Sequence, residues 1–185
     1  EVIKRHSADI LSRQDVEDLL NNVRRNSEAL VNDLVPDPLS ASDIHVVLQN
    51  LLRERVSIRD MVSILEALSY HCRVKKDPDY LTEQARMVLS RSICKQYMGG
   101  DGALPALTLA PELEEHLAQG LSEDGQMIAV GPVITQNLLN GLNKEIEGIL
   151  SGHGVQPVIL INGMLRLPFR RLIERTLPQI PVISY

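Results

Sequence analysis

Tryptophan is absent from this 185-residue sequence, phenylalanine occurs once, at Phe169, and aromatic residues amount to 3%. Hydrophobic residues still reach 44%, so a core is possible, and Leu, Ile, Val, Ala and Met have to build it. Cysteine is scarce too. Cys72 and Cys94 stand 22 residues apart with no CxxC, and no Cys/His cluster has zinc-ligand spacing. Two reduced thiols in or near a core are expected, which fits a reducing compartment. No apolar run approaches the ~20 residues that span a bilayer, and no signal peptide is visible. The chain begins at Glu1 rather than Met, which points to an excised piece. The lack of a membrane segment therefore says nothing about a parent protein.

Positive charge is in short supply. The formal net charge is −5. Residues 1–98 carry 14 Lys and Arg against 15 Asp and Glu, and residues 99–185 carry 5 against 9. Neither half has the basic excess of a phosphate-binding surface, so no nucleic-acid partner is expected. The helix pair at 43–69 has the outline of a helix-turn-helix. Its second helix, IRDMVSILEAL, would offer DNA one arginine and two acids, which is poor electrostatics for a polyanion.

Catalytic motifs are missing as well. There is no Walker loop, no GxGxxG and no GxSxG elbow. His6, His45, His71, His116 and His153 form no HExxH pair, and His71 beside Cys72 would point elsewhere on a helix. Glu112, Glu114 and Glu115 follow Pro111, where acids complement a helix dipole. Gly152-His153-Gly154 reads as a helix end and turn. No catalytic residue, metal site or cofactor is expected.

The first part of the chain is rich in helix signals. Ser12 with Asp15, Ser40 with Asp43, and Ser57 with Asp60 look like N-caps with an acid at the third helical position. Asp77-Pro78 is a cap followed by proline at the first helical position, with a helix running on towards Tyr97. A short helix through Leu30, Val31 and Leu34 stops at Pro36. Leu48, Leu51, Ile64 and Leu68 fall on facing apolar stripes. After MGGDG (98–102) the rhythm changes. LPALTL (104–109), MIAV (127–130), PVILI (157–161) and PVISY (181–185) read as strands, with helical spacing over 111–121, 135–150 and 165–177 between them. Strands alternating with helices imply crossovers in a parallel sheet. The expectation is a two-domain α+β chain. An all-helical subdomain over 1–98 precedes a small α/β subdomain over 99–185 with a mostly parallel sheet of about four strands. Gly99, Gly100 and Gly102 form a candidate hinge.

The segment RERVSIRD (53–60) lies between two apolar helices. With Ser57 as N-cap, Arg59 would occupy the second helical position, where a cation is unfavourable by roughly 0.3–1 kcal/mol. Two accounts stand open. Arg59 pairs internally with Glu54 or another acid. Alternatively Arg53, Arg55 and Arg59 meet an acidic surface on a partner, making Arg53, Glu54, Arg55, Arg59 and Asp60 a candidate protein-interaction patch.

VLQNLL (47–52), VSIRD (56–60) and ILEAL (64–68) together resemble the FlhA/LcrD family, the export gates of flagellar and virulence type III secretion. SRQDVEDLL (12–20), LVNDLVP (30–36), ARMVLSRSICKQY (85–97), GVQPVILI (154–161) and RRLIERTLPQIPVISY (170–185) extend the resemblance over most of the chain. It is weakest at about 99–130, and VLQNLLRE leans to the flagellar branch. The resemblance implies the last two of four cytoplasmic subdomains of an inner-membrane protein, on the cytoplasmic side. It implies a nonameric homo-oligomeric ring that docks export substrates, chaperones and the export ATPase complex, without covalent catalysis. The chaperone groove of the family belongs to upstream subdomains, so none of its residues carries over. The alternative is a helical regulatory module joined to a small α/β enzyme domain.

Overall fold

Serines start the first long helices of the chain. The computed structural model describes residues 7–100 and 102–185, with only the backbone of His153. Readings that involve residues 1–6, including His6, Asp101 of MGGDG or the His153 side chain lie outside the described residues. The chain divides into two compact units, Glu1–Gln96 and Tyr97–Tyr185.

The first unit contains α1 (Ser7–Ile10), α2 (Arg13–Arg24), α3 (Glu28–Leu34), α4 (Ala41–Arg53), α5 (Met61–His71), α6 (Pro78–Val88) and most of α7 (Ser90–Tyr97). Ser12 and Ser40 close full capping boxes with Asp15 and Asp43 on α2 and α4. At α4 the Asp43 N–H donates to Ser40 Oγ at 3.2 Å and the Ser40 N–H to Asp43 Oδ2 at 2.8 Å, satisfying two donors that a helix start leaves unpaired. Both acids are held below the usual carboxylate range, chiefly by the hydrogen bond from the serine hydroxyl. Asp77 caps α6 through the Tyr80 N–H, with Pro78 following. Leu48, Leu51, Ile64 and Leu68 are fully buried, as their shared stripe predicts. The helix expected to run unbroken from Pro78 to Tyr97 bends at Leu89, which has φ −87° and ψ 2°. Leu89 keeps its N–H bonded to the Ala85 carbonyl while its own carbonyl takes the Ile93 N–H, and both apolar side chains are buried.

The second unit has a three-stranded parallel sheet, β1 (Ala106–Thr108), β2 (Val158–Ile161) and β3 (Val182–Ser184), in the order β1-β2-β3. Leu107 pairs with Ile159, and Ile159 with Val182. Helices α8 (Pro111–Gln119) and α9 (Pro132–His153) connect β1 to β2, and α10 (Gly163–Ile173) connects β2 to β3. Ile159, Ile161 and Val182 join Leu138, Leu142 and Phe169 in one buried cluster.

The expected fourth strand does not form. MIAV folds back on residues just upstream: Ile128 makes an isolated antiparallel bridge to Leu121, and the Ala129 N–H reaches the Gly120 carbonyl at 2.7 Å. The turn is closed by Ser122, whose hydroxyl donates to Asp124, and by Gly125 at φ +70°. A Cβ on Gly120 would stand 2.6 Å from the Ala129 carbonyl oxygen, so glycine permits the approach. This local pairing uses the backbone groups a sheet strand would need, and Pro132 opens a helix soon after. Gly154 ends α9 in the left-handed region at φ +64°.

Candidate functional site

Helix α4 ends in a Schellman motif. The Arg55 N–H bonds to the Leu52 carbonyl and the Val56 N–H to the Leu51 carbonyl, both at 2.9 Å. Val56 and Leu51 are both buried, as suits a motif that is commonly accompanied by a hydrophobic contact between these two positions. The motif requires a left-handed residue after the cap, usually glycine. Here Arg55 takes it at φ 59°, the sole non-glycine residue with positive φ among those described.

The next helix starts three residues later than its sequence suggests. Asp60, not Ser57, caps α5: Asp60 Oδ1 accepts the Ser63 N–H at 3.2 Å and Oδ2 the Ser63 hydroxyl at 2.8 Å. Ser57 Oγ instead accepts the Arg59 N–H at 3.4 Å, a local side-chain turn that competes with helix. Asp and Ser are comparable caps, and each has a polar residue three positions on; Asp60 prevails with two hydrogen bonds from Ser63, one from its N–H and one from its hydroxyl. Arg59 therefore precedes the helix, and the unfavourable dipole position assigned to it does not arise.

Glu54 is also committed elsewhere. Its Oε2 lies 3.3 Å from Arg86 on α6, with side-chain exposures of 15% and 8%. The internal pair is real, but its cation is Arg86, not Arg59. Arg86 was not singled out in the sequence, although Thr82 and Arg86 stand one turn apart, both buried, among the inward residues of α6. Asn50 Nδ2 donates to Thr82 Oγ1 at 3.3 Å, adding a second polar link between α4 and α6. Arg53 donates to Asn50 Oδ1 at 2.8 Å. Arg55 and Arg59 remain exposed and enter no ion pair among the described residues. The five candidate residues thus separate: Glu54 and Asp60 hold the fold, Arg53 leans on its own helix, and Arg55 and Arg59 face solvent.

At the proposed hinge, the Gly99 N–H bonds to the Ala103 carbonyl at 2.7 Å and the Gly102 N–H to the Gly99 carbonyl at 3.0 Å. Gly102 has φ +80°, and a Cβ on Gly100 or Gly102 would meet nothing within 4 Å. Only at Gly102 does the conformation itself favour glycine.

Among the described residues no His, Cys, Asp and Glu group has metal-binding geometry. Cys72 and Cys94 are free. No described helix is long and apolar enough to cross a membrane. The FHIPEP family matches residues 1–185. The chain belongs to the FHIPEP family. Within it, the flagellar biosynthesis protein FlhA of Escherichia coli is 36% identical over 183 residues, covering 99% of this chain and 26% of that protein. The cryo-EM structure of nonameric EPEC SctV-C superposes with a TM-score of 0.84 at 27% identity, over 100% of this chain and 55% of that one. A Chlamydia pneumoniae CdsV and CdsO complex gives 0.82 at 28%, over 100% and 54%. The chain spans about a quarter of the length of the curated FHIPEP relatives it matches.

Proposed function

We propose that this chain is the distal cytoplasmic part of a type III export gate of the flagellar branch, a non-enzymatic scaffold that assembles into a ring and docks partners. The observation that carries the reading is the family match along all 185 residues. The likeness to a nonameric SctV-C assembly supports the ring, and the likeness to CdsV, solved with CdsO, supports partner docking. Export substrates, chaperones and the export ATPase complex are the partners of this reading. Its place is the cytoplasmic face of the inner membrane.

Arg55 and Arg59 are the contact residues of this proposal. They are exposed, and their charge is not spent on an internal pair. Their backbone is set by the Schellman turn and the Asp60 cap, so the corner holds the bases of two long, solvent-exposed cationic side chains in fixed positions. The Gly99–Gly102 turn is the joint between the functional units 1–98 and 99–185, although its two hydrogen bonds must open for a large reorientation.

The deciding experiment reverses both arginines, Arg55→Glu and Arg59→Glu, in the complete protein. Glutamate at 55 meets the same left-handed strain as the arginine it replaces, and changes at an exposed site such as 59 stay within ~0.5 kcal/mol, so the isolated fragment should unfold near its original midpoint. Ring assembly and motility should fall, and fall further at low salt, where screening is weak. A destabilised fragment with normal motility would remove the interface assignment.

A further inference from the structure

Strand β1 is an open edge of the sheet. The Val158 N–H donates to the Pro105 carbonyl at 2.9 Å, and alternate residues of a parallel ladder serve the same neighbour. Ala106 and Thr108 therefore turn their backbone N–H and C=O groups away from β2. Both residues are exposed, and neither amide has a backbone partner among the described residues.

Beside this edge runs an apolar groove of about 390 Å³. Leu107 of β1, Leu109 just after it, Leu113 of α8, and Leu138 and Leu142 of α9 line it. Leu107 lies in register with Ile159 of the core, so a strand added outside β1 would aim alternate side chains into the groove. Gly141 also lines it, in the interior of α9. Glycine weakens a helix relative to alanine, yet a Cβ here would meet nothing within 4 Å. The fold does not need glycine at 141, whereas a close-passing backbone would. Gly148 is equally unconstrained in the same helix but is not part of this groove's lining, so position 141 is the one that bears on its occupant.

Charge narrows the occupant. Glu145 stands on the groove wall, one turn beyond Gly141. Residues 99–185 carry five basic against nine acidic side chains, and two of the basic ones, Arg166 and Arg170, are buried. The exposed surface is thus more acidic than the count.

We propose that the β1 edge and its groove bind an extended segment of a partner protein, with apolar residues alternating with basic ones, by addition as a fourth parallel or antiparallel strand. Backbone pairing to Ala106 and Thr108 sets the register, the groove takes the apolar side chains, and Glu145 faces a lysine or arginine. The edge offers few hydrogen bonds, so the groove must supply much of the affinity. This deepens the docking reading by naming the chemistry of one partner. It is tested apart from the arginine corner, because peptide binding can fail while the Arg55 and Arg59 reversal still blocks assembly.

The probe is an acetylated, amidated peptide of alternating lysine and isoleucine, titrated into the 185-residue chain and followed by NMR. Shifts should concentrate at 106–109 and 134–145, and the Ala106 and Thr108 amides should gain protection from exchange. Methylating the peptide nitrogens on its pairing side should weaken binding at least about tenfold. Thr108→Pro removes an outward N–H and leaves the β1–β2 ladder intact, and Gly141→Leu fills the groove in a space the fold leaves empty. Each should abolish the peptide's shifts while the spectrum of the free protein stays folded. A glutamate–isoleucine peptide should bind more weakly than the lysine one. Binding that survives peptide methylation, or both variants, would overturn strand addition in favour of a helical or nonspecific occupant. No saturable shift, or self-association that Thr108→Pro abolishes, would overturn it too; in the latter case the edge belongs to a second copy.

Discussion

Ser12 and Ser40 open their helices through side chains three residues away, whereas α8 and α9 in the second unit open at Pro111 and Pro132 with no side-chain cap. The second unit fastens its elements over longer spans. Glu114 accepts the Asn162 N–H at 3.0 Å and the Tyr185 hydroxyl at 2.8 Å, joining residues 48 and 71 positions apart. The hydrogen bond to Glu114 is also the main cause that raises the Tyr185 hydroxyl above its ordinary range. Arg170 is buried and donates to the carbonyls of Leu177, Pro178 and Ile180, so a cation organises the turn before β3. The first unit leans more on local caps and the second more on contacts that exist only once the chain has folded, although α10 keeps a local cap in Asn162, whose Oδ1 accepts the Met164 N–H at 2.9 Å.

Core truncation should give the largest effects and show whether each unit relies on its own core. Phe169 and Leu51 are both fully buried, one in each unit. Phe169→Ala should cost ~3–5 kcal/mol and Leu51→Ala ~2–5 kcal/mol. Residue-resolved hydrogen exchange in rising urea should show lost protection centred on 106–184 for the first and on 13–88 for the second. Uniform loss in both variants would mean the two units unfold as one.

A medium effect is expected where the first unit departs from purely local encoding. Glu54→Ala removes the carboxylate beside the buried Arg86 and should lower stability by about 2–3 kcal/mol, below the full cost of an uncompensated buried charge because the pair keeps some solvent contact. Urea denaturation measures it. An unchanged midpoint would demote the pair to an incidental contact.

The smallest effect tests the caps. Ser40→Ala should cost about 1 kcal/mol. Asp43 has a lowered pKa in the folded chain, so its contribution is present above the ordinary value of 3.8 and is lost as pH falls through the folded value. The stability difference between wild type and variant should therefore be largest near neutrality and shrink below about pH 4. A difference that stays constant through the acid range would separate the cap from the titration of Asp43.

Much of the first unit was legible because its signals are short-range. Ser12 with Asp15, Ser40 with Asp43 and Asp77-Pro78 each mark a helix start within four residues. Where two such signals competed, at Ser57 and Asp60, spacing alone could not rank them; the Ser63 hydroxyl decided. The parallel arrangement of 157–161 and 181–185 followed from apolar runs between helical segments. MIAV misled because a short apolar run serves a local turn as well as a sheet, and the partner that captured it, Gly120–Ser122, carries no strand pattern. Arg86 and Arg170 were invisible for another reason. An arginine's acid or carbonyl partner is chosen by packing, and Glu54 stands 32 positions from Arg86. Within the candidate patch the residue types were informative, but only the structure divides those that hold the corner from those that face outward.

The left-handed arginine at the end of α4 has a consequence for anyone who would improve this protein. Glycine occupies that conformation without the Cβ strain that an L-residue meets there, about 1 kcal/mol or somewhat more. A selection that reads only folding would replace Arg55 with glycine, and a thermostability campaign would record a gain. The same step would erase one of the two outward charges of the corner. If Arg55 makes the proposed contact, folding and assembly set opposite preferences at a single position, and a pair of parallel screens, one for heat resistance and one for swimming, should diverge first at residue 55.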